Sequence, residues 1–117
     1  MSYKITGTKI ELTRGDSFYC LIMISKDGSP YEPQEGDVIR FAMKKGTMTS
    51  LKDSYISRTP LILKTIPNDT LVLSIEPDDT KNLKFGQYVY DIEITFANGD
   101  VDTFINNAVF ELLPEVL

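Results

Sequence analysis

The sequence predicts an all-β sandwich of about seven to eight short antiparallel strands with one helical turn over 77–83. Three observations carry that expectation. Apolar residues recur with a period of two almost everywhere, the mark of strands with one buried and one wet face. The gaps between these runs hold glycine, asparagine, aspartate and proline, the residues of tight turns. Only one stretch has helical chemistry, with proline and acids first and lysine later.

Each element follows in order. Ile10 and Leu12 alternate with Glu11. Phe18, Cys20, Ile22 and Ile24 alternate with Tyr19, Leu21 and Met23, so that strand reads as covered on both faces. Ile39, Phe41 and Met43 make the inner face of the next strand, with Arg40 and Lys44 outside; Met43 and Met48 read as packing residues. Residues 45–59 are polar and without a steady period, a loop long enough to be functional. Pro67-Asn68-Asp69 reads as a hairpin turn between Leu61–Ile66 and Thr70–Ile75. Tyr88, Tyr90, Ile92, Ile94 and Phe96 stand against Asp91, Glu93 and Thr95, and Asn98-Gly99 then closes a hairpin whose two turn residues both tolerate positive φ.

Composition narrows the function. The 117 residues suit one domain, 1–117, able to bury roughly two-thirds of its unfolded surface without disulfides or metal. Net charge is −5, from 17 acidic and 12 basic residues, which lacks the basic footprint of a nucleic-acid binder. The absence of histidine removes Ser-His-Asp and Cys-His nucleophilic sites and most zinc sites. Cys20, the single cysteine, lies in an apolar run and reads as a small buried side chain. No cofactor, metal or catalytic residue is expected. The N-terminus has no signal-peptide pattern, and the longest apolar run is too short for a membrane span.

"LTRGDSFY" spells Arg14-Gly15-Asp16, the triplet read by integrins. The chain supplies its own control. Gly-Asp recurs at Gly36-Asp37 and Gly99-Asp100, each time just ahead of a strand-like run. The pair is therefore a turn that leads into a strand, with glycine taking the unusual backbone angle and aspartate accepting from nearby amides. Arg14 is then only the preceding residue, and its replacement by alanine should leave folding nearly unchanged.

Three acidic clusters stand out: Asp78-Asp79, Asp91 with Glu93, and Asp100 with Asp102. The last two pairs should share one face of a hairpin, open to a basic partner patch. They lack calcium-loop spacing, so a solvated face is the expected use. Tyr3, Tyr19, Tyr31 and Tyr55 are not needed for the main core. Tyr31 and Tyr55 fall in loops and, with Asp91 and Glu93, are the interface residues expected here.

The stretch "LKFGQYVYDIEITFANGDVDTF" resembles the approach to the sixth strand of immunoglobulin-like sandwiches. There a turn, a glycine and a tyrosine build a corner in which the hydroxyl bonds nearby backbone. Tyr88 matches that tyrosine, and Tyr90 falls where an antibody domain has its second cysteine. With "ELTRGDSFYCLIMI", "DGSPYEPQEGDVIRFAMKK" and "FELLPEV", the chain is similar to small immunoglobulin-like domains of tailed phages and prophages of Gram-positive bacteria, such as the N-terminal domains of baseplate upper proteins. That resemblance implies a non-enzymatic structural or assembly component of the tail or baseplate region, working by protein–protein packing. Its partners would be other virion or tail proteins or copies of itself in a closed ring, with no nucleic acid and no membrane. It would sit in the host bacterial cytoplasm during assembly and then in the virion. The alternative is a carbohydrate-binding module for host cell-wall glycans, which needs an exposed aromatic platform.

Overall fold

The period of two becomes strand wherever it is clean. The computed structural model describes residues 3–45 and 60–115, with side chains described from residue 7 onward. In order they form β1 (Tyr3–Thr6), β2 (Lys9–Thr13), β3 (Phe18–Leu21), β4 (Ser25–Lys26), β5 (Ser29–Pro30), β6 (Val38–Lys45), β7 (Ile62–Ile66), β8 (Val72–Ile75), α1 (Pro77–Thr80), β9 (Gly86–Thr95) and β10 (Val101–Leu113). The described residues are therefore mostly β, with one short helix and ten strands where seven or eight were expected. The surplus comes from pairs of two to four residues, such as β4 with β5, too short to carry a visible period.

The strands form a six-stranded sheet in the order β1-β2-β10-β9-β6-β7, a pair β3-β8, and the small hairpin β4-β5. The inner faces share one hydrophobic cluster. Phe18 on β3 and Leu73 and Ile75 on β8 meet Leu12, Phe41, Ile92 and Phe110 of the large sheet. At its centre Phe41, Tyr90 and Phe110 lie with ring centroids 5.3 to 6.4 Å apart, in tilted and edge-on arrangements. Burying each such ring contributes roughly 1.5–3 kcal/mol. Tyr88 and Ile92 are buried, and Phe96 packs half-buried at the margin of the cluster.

Register gives the molecule two ends. Lys45 pairs with Tyr88 at one end of β9, and Val38 with Thr95 at the other. The first end holds Arg14 and α1, and the second holds Asp37 and the turn between β9 and β10.

Four expectations need correction. First, the strands are not all antiparallel: β2 runs parallel to β10, Ile10 opposite Phe110 and Leu12 opposite Leu112. Both strands run toward the Arg14 end, where β2 must finish so that the chain can cross to β3; the Arg14 amide bonds the Leu113 carbonyl at 2.9 Å there. Second, Pro67-Asn68-Asp69 makes no hairpin. β7 pairs with β6 and β8 with β3, so the turn carries the chain between layers. Leu71, at φ 54°, completes that change of direction.

Third, the helical turn stops at Thr80 rather than at residue 83. Pro77, Asp78 and Asp79 start it, and the Asp79 carboxylate accepts from the Glu76 amide at 2.7 Å. A tighter turn then closes it, the Leu83 amide bonding Thr80 carbonyl at 2.9 Å. Fourth, Asn98-Gly99 does close the β9–β10 hairpin, but only Gly99 has positive φ. Phe96 and Gly99 close the loop by a 2.8 Å bond, the pattern of an ordinary turn followed by a glycine bulge. The mirror-image turn that needs two positive φ angles occurs instead at Asp27-Gly28, φ 53° and 79°, between β4 and β5.

Candidate functional site

The most unusual surface lies along β3 and the three residues that follow it. Backbone alternation sends Phe18, Ile22 and Ile24 into the core, and therefore sends Tyr19, Leu21 and Met23 the other way. Those three are 52%, 64% and 85% exposed, so the expectation that both faces of this strand are covered is corrected. Its outer face is bare because β3 and β8 form an outermost layer, with Tyr19 opposite Ser74 and Leu21 opposite Val72. Nothing in the described residues lies over it. Single exposed apolar residues are ordinary on a protein surface, but a contiguous row is characteristic of interaction sites.

Cys20 points inward and is half-buried, not fully buried. Burial pushes its thiol above the usual value, so it stays protonated near neutral pH and is a poor nucleophile. It borders an apolar cleft of about 200 Å³ between the layers, beside Ile10, Leu73, Tyr90 and Ile92. The Tyr90 hydroxyl donates to the Thr8 carbonyl and closes one side of that cleft.

The expected interface residues separate. Tyr31 is engaged within the molecule: its hydroxyl donates to Asp37 Oδ2 at 2.6 Å, and its ring meets Phe96 edge-on at 5.7 Å. The Lys26 ammonium lies 4.5 Å from the Phe96 ring centroid and 5.4 Å from that of Tyr31. Tyr55 lies outside the described residues, as do Met48 and residues 46–59 of the long loop. Asp91 is half-buried and accepts from the Asn107 amide at 2.6 Å. It thereby holds a bulge where three steps along β10, from Ile105 to Ala108, span two on β9. Glu93 stands opposite Arg40, with Nε at 3.9 Å.

The four-acid face does not assemble. Asp102 pairs with Ile94, whereas Glu93 pairs with Thr103, so Asp102 is on the other side of the sheet from Glu93. Among the described residues no group of three or more Asp, Glu, Cys or His side chains gathers as a metal site would require.

Two side chains that the sequence undervalued fasten the ends. Asp37, buried beside Gly36, accepts from Tyr31 hydroxyl, from the Gln34 amide at 2.8 Å and from the Ala97 amide at 3.0 Å. The Tyr31 hydrogen bond, then those backbone amides, hold its carboxyl below the usual range. Arg14 is no bystander, which corrects the expectation that it is only the residue preceding the turn. Its guanidinium makes a fork to Glu115, Nε–Oε2 3.1 Å and Nη2–Oε1 2.6 Å, and Nη1 donates to the Leu83 carbonyl at 3.1 Å. It also stacks over Phe85 at 4.3 Å. The Gly15 amide donates to the buried Thr80 hydroxyl at 2.8 Å. The Arg-Gly-Asp triplet is thus a structural clamp, with its arginine already bound. The Tyr88 hydroxyl donates to the Lys84 carbonyl at 2.6 Å, as the tyrosine-corner expectation required.

Comparison of the chain with protein-family models, with curated proteins and with solved structures finds no match. Among the described residues no helix is long and apolar enough to cross a membrane.

Proposed function

We propose that this chain is a non-enzymatic packing domain that serves as a structural or assembly component of a phage or prophage particle, in the tail or baseplate region. The observation that carries the packing role is the bare apolar row of Tyr19 and Leu21 on β3 and Met23 just beyond it. A partner protein laid over that row would remove three large apolar side chains from water, at roughly 25 cal/mol per Å² buried. The attribution to a phage particle rests on the sequence resemblance.

The immunoglobulin-like reading of the fold has specific support. The order β10-β9-β6-β7, with β3-β8 as the second layer, suits such a sandwich. So does the parallel contact of an early strand, β2, with the last one. Tyr88 bonding back to Lys84 supplies the corner. The glycan-binding alternative draws less support, because the ring of Tyr31 already meets Phe96 and lies beneath Lys26, and Arg14 covers one face of Phe85.

The test is to purify particles from an induced host and look for this chain by mass spectrometry and by gold-labelled antibody. Stoichiometric presence in the particle supports the reading. Absence from particles, with aromatic-dependent binding on a glycan array, overturns it. Tyr19→Ser with Leu21→Ser should abolish incorporation while leaving the fold intact, since both side chains are more than half exposed.

A further inference from the structure

β3 has a neighbour on one side only. It pairs with β8, and no strand lies along its other edge among the described residues. Parity fixes which backbone groups face that edge. The Ile22 amide donates to the Leu71 carbonyl at 2.7 Å, in line with the Cys20–Leu73 and Phe18–Ile75 pairs, so Phe18, Cys20 and Ile22 turn their N–H and C=O groups toward β8. Tyr19, Leu21 and Met23 therefore turn theirs toward the open edge. No other backbone meets them there among the described residues; the Leu21 carbonyl has only the Cys20 thiol, a weak donor at 3.6 Å. These are the same residues whose side chains are bare.

Sheet edges in proteins are blunted by charge, proline or a bulge. The outer strands of the large sheet, β1 and β7, contain Lys4 and Lys64. β8 is bracketed by Asp69 and Glu76, so two copies meeting along it would set acid against acid in either direction. Residues 17–25 hold no charge and no proline, and the charges that bracket them are unlike, Asp16 before and Lys26 after.

We propose that the open edge of β3 pairs antiparallel with the same edge of a second copy of this chain, with Leu21 on the two-fold axis. That register gives every outward-facing residue a partner. Leu21 lies opposite Leu21 of the second copy and Tyr19 opposite Met23, each pair exchanging two backbone hydrogen bonds. On the outer face it sets leucine beside leucine and a tyrosine ring beside a thioether, contacts that favour pairing. It brings Asp16 of each copy toward Lys26 of the other, whereas parallel alignment would bring like charges together. The interface is the same surface on both copies, so it closes at two. It deepens the packing role proposed above by naming a partner for that row, and rests on that role for its purpose only.

The test is sedimentation velocity and light scattering on the pure chain at concentrations up to about 1 mM, the weak end of specific association. The expected result is a mass that rises with concentration and levels at two copies. Leu21→Lys and Leu21→Glu each set like charges face to face on the axis, and each should need at least roughly tenfold higher concentration to pair. An equimolar mixture of the two should pair again, because lysine then faces glutamate. Leu21 is 64% exposed, so both variants should fold, and circular dichroism confirms it. For any variant that fails it, Met23→Pro removes an outward-facing N–H, leaves the bonds to β8 untouched and should weaken pairing in the same direction. A chain that is monomeric throughout, a mass that grows past two copies, pairing unmoved by these substitutions, or a mixture of the folded charge variants that stays apart overturns the proposal. Any of these leaves packing onto a different particle protein standing, since particle incorporation is read separately.

Discussion

Gly15-Asp16 and Gly36-Asp37 are the same dipeptide in the same setting, a turn ahead of a strand, and they fasten the molecule by different means. Both glycines have positive φ, 84° and 92°. At the first turn the holding is done around the pair: the Gly15 amide reaches Thr80, and the preceding Arg14 grips Glu115 and the Leu83 carbonyl. At the second turn the aspartate itself is the fastener, buried and accepting from three donors. The difference follows from position. Gly15 leads into the narrow layer at an end where the last strand finishes, so an arm long enough to reach the C-terminal segment is useful. Gly36 lies against Ala97 of the neighbouring turn, so a short carboxylate is already within bonding distance.

The largest test of that contrast is Asp37→Ala against Asp16→Ala. Removing the Asp37 carboxylate strands the Gln34 and Ala97 amides and the Tyr31 hydroxyl in a part-buried place. Its melting temperature should fall by roughly 10 °C, and Asp16→Ala by no more than a few degrees. Equal losses in calorimetry would erase the distinction between the two turns.

Next in size is the glycine half of each pair. Any side chain at either position suffers in the left-handed region, at roughly 1–2 kcal/mol. Only Gly36 adds a clash: a Cβ there would sit 2.9 Å from the Ala97 Cβ, whereas at Gly15 it would meet nothing within 4 Å. Gly36→Ala should thus cost roughly 1–3 kcal/mol more than Gly15→Ala in urea unfolding. Adding Ala97→Gly should return most of that excess.

Much of this was legible beforehand. The recurrence of Gly-Asp marked three turns, and period-two runs marked β6 and β9, because local backbone chemistry decides both. What escaped was decided by distant neighbours. No local signal separates Tyr19, Leu21 and Met23 from Phe18 and Ile22, all apolar, and only the place of β3 in an outermost layer leaves one set bare. Pro67-Asn68-Asp69 carries good hairpin chemistry, yet partner choice by β7 and β8 turned it into a crossover. Arg14 looked inert because its partner is 101 residues away. Asp91 looked like a surface charge because the bulge it serves lies on another strand. The phrase around Tyr88 was the exception, since a corner that bonds four residues back is local.

Arg14 gives a smaller effect. Arg14→Ala should lower the melting temperature by roughly a few degrees, with the loss shrinking at high salt as the Glu115 pair is screened. Arg14→Lys should recover little, because a lysine cannot make the two-pronged contact with Glu115 and still reach the Leu83 carbonyl. A lysine variant as stable as the parent would show that charge alone does the fastening.

The mildest effects are read by titration, and they separate the fastened ends from the core. Hydrogen bonding, first from Tyr31, holds Asp37 below its ordinary 3.8, and the Arg14 fork holds Glu115 below its ordinary 4.5. Both carboxylates therefore stabilise the fold fully above those values, and that stability is lost as pH falls through the depressed folded ones. Arg14→Ala should remove the Glu115 part of the acid limb and leave the Asp37 part. Tyr90 acts at the other extreme. Burial pushes its hydroxyl up to about 12 from an ordinary 10, so between those values the unfolded chain releases a proton that the folded chain keeps. Stability should fall as pH rises through that window and gain no further loss from this group above it. Tyr90→Phe gives up the bond to the Thr8 carbonyl near neutrality, at about 1 kcal/mol, but should flatten the alkaline limb. Tyr88, which burial also raises, should flatten it less when changed to Phe. An alkaline limb unchanged in Tyr90→Phe would mean that the loss comes from the exposed face of β3 or from the ends, and not from the core between the layers.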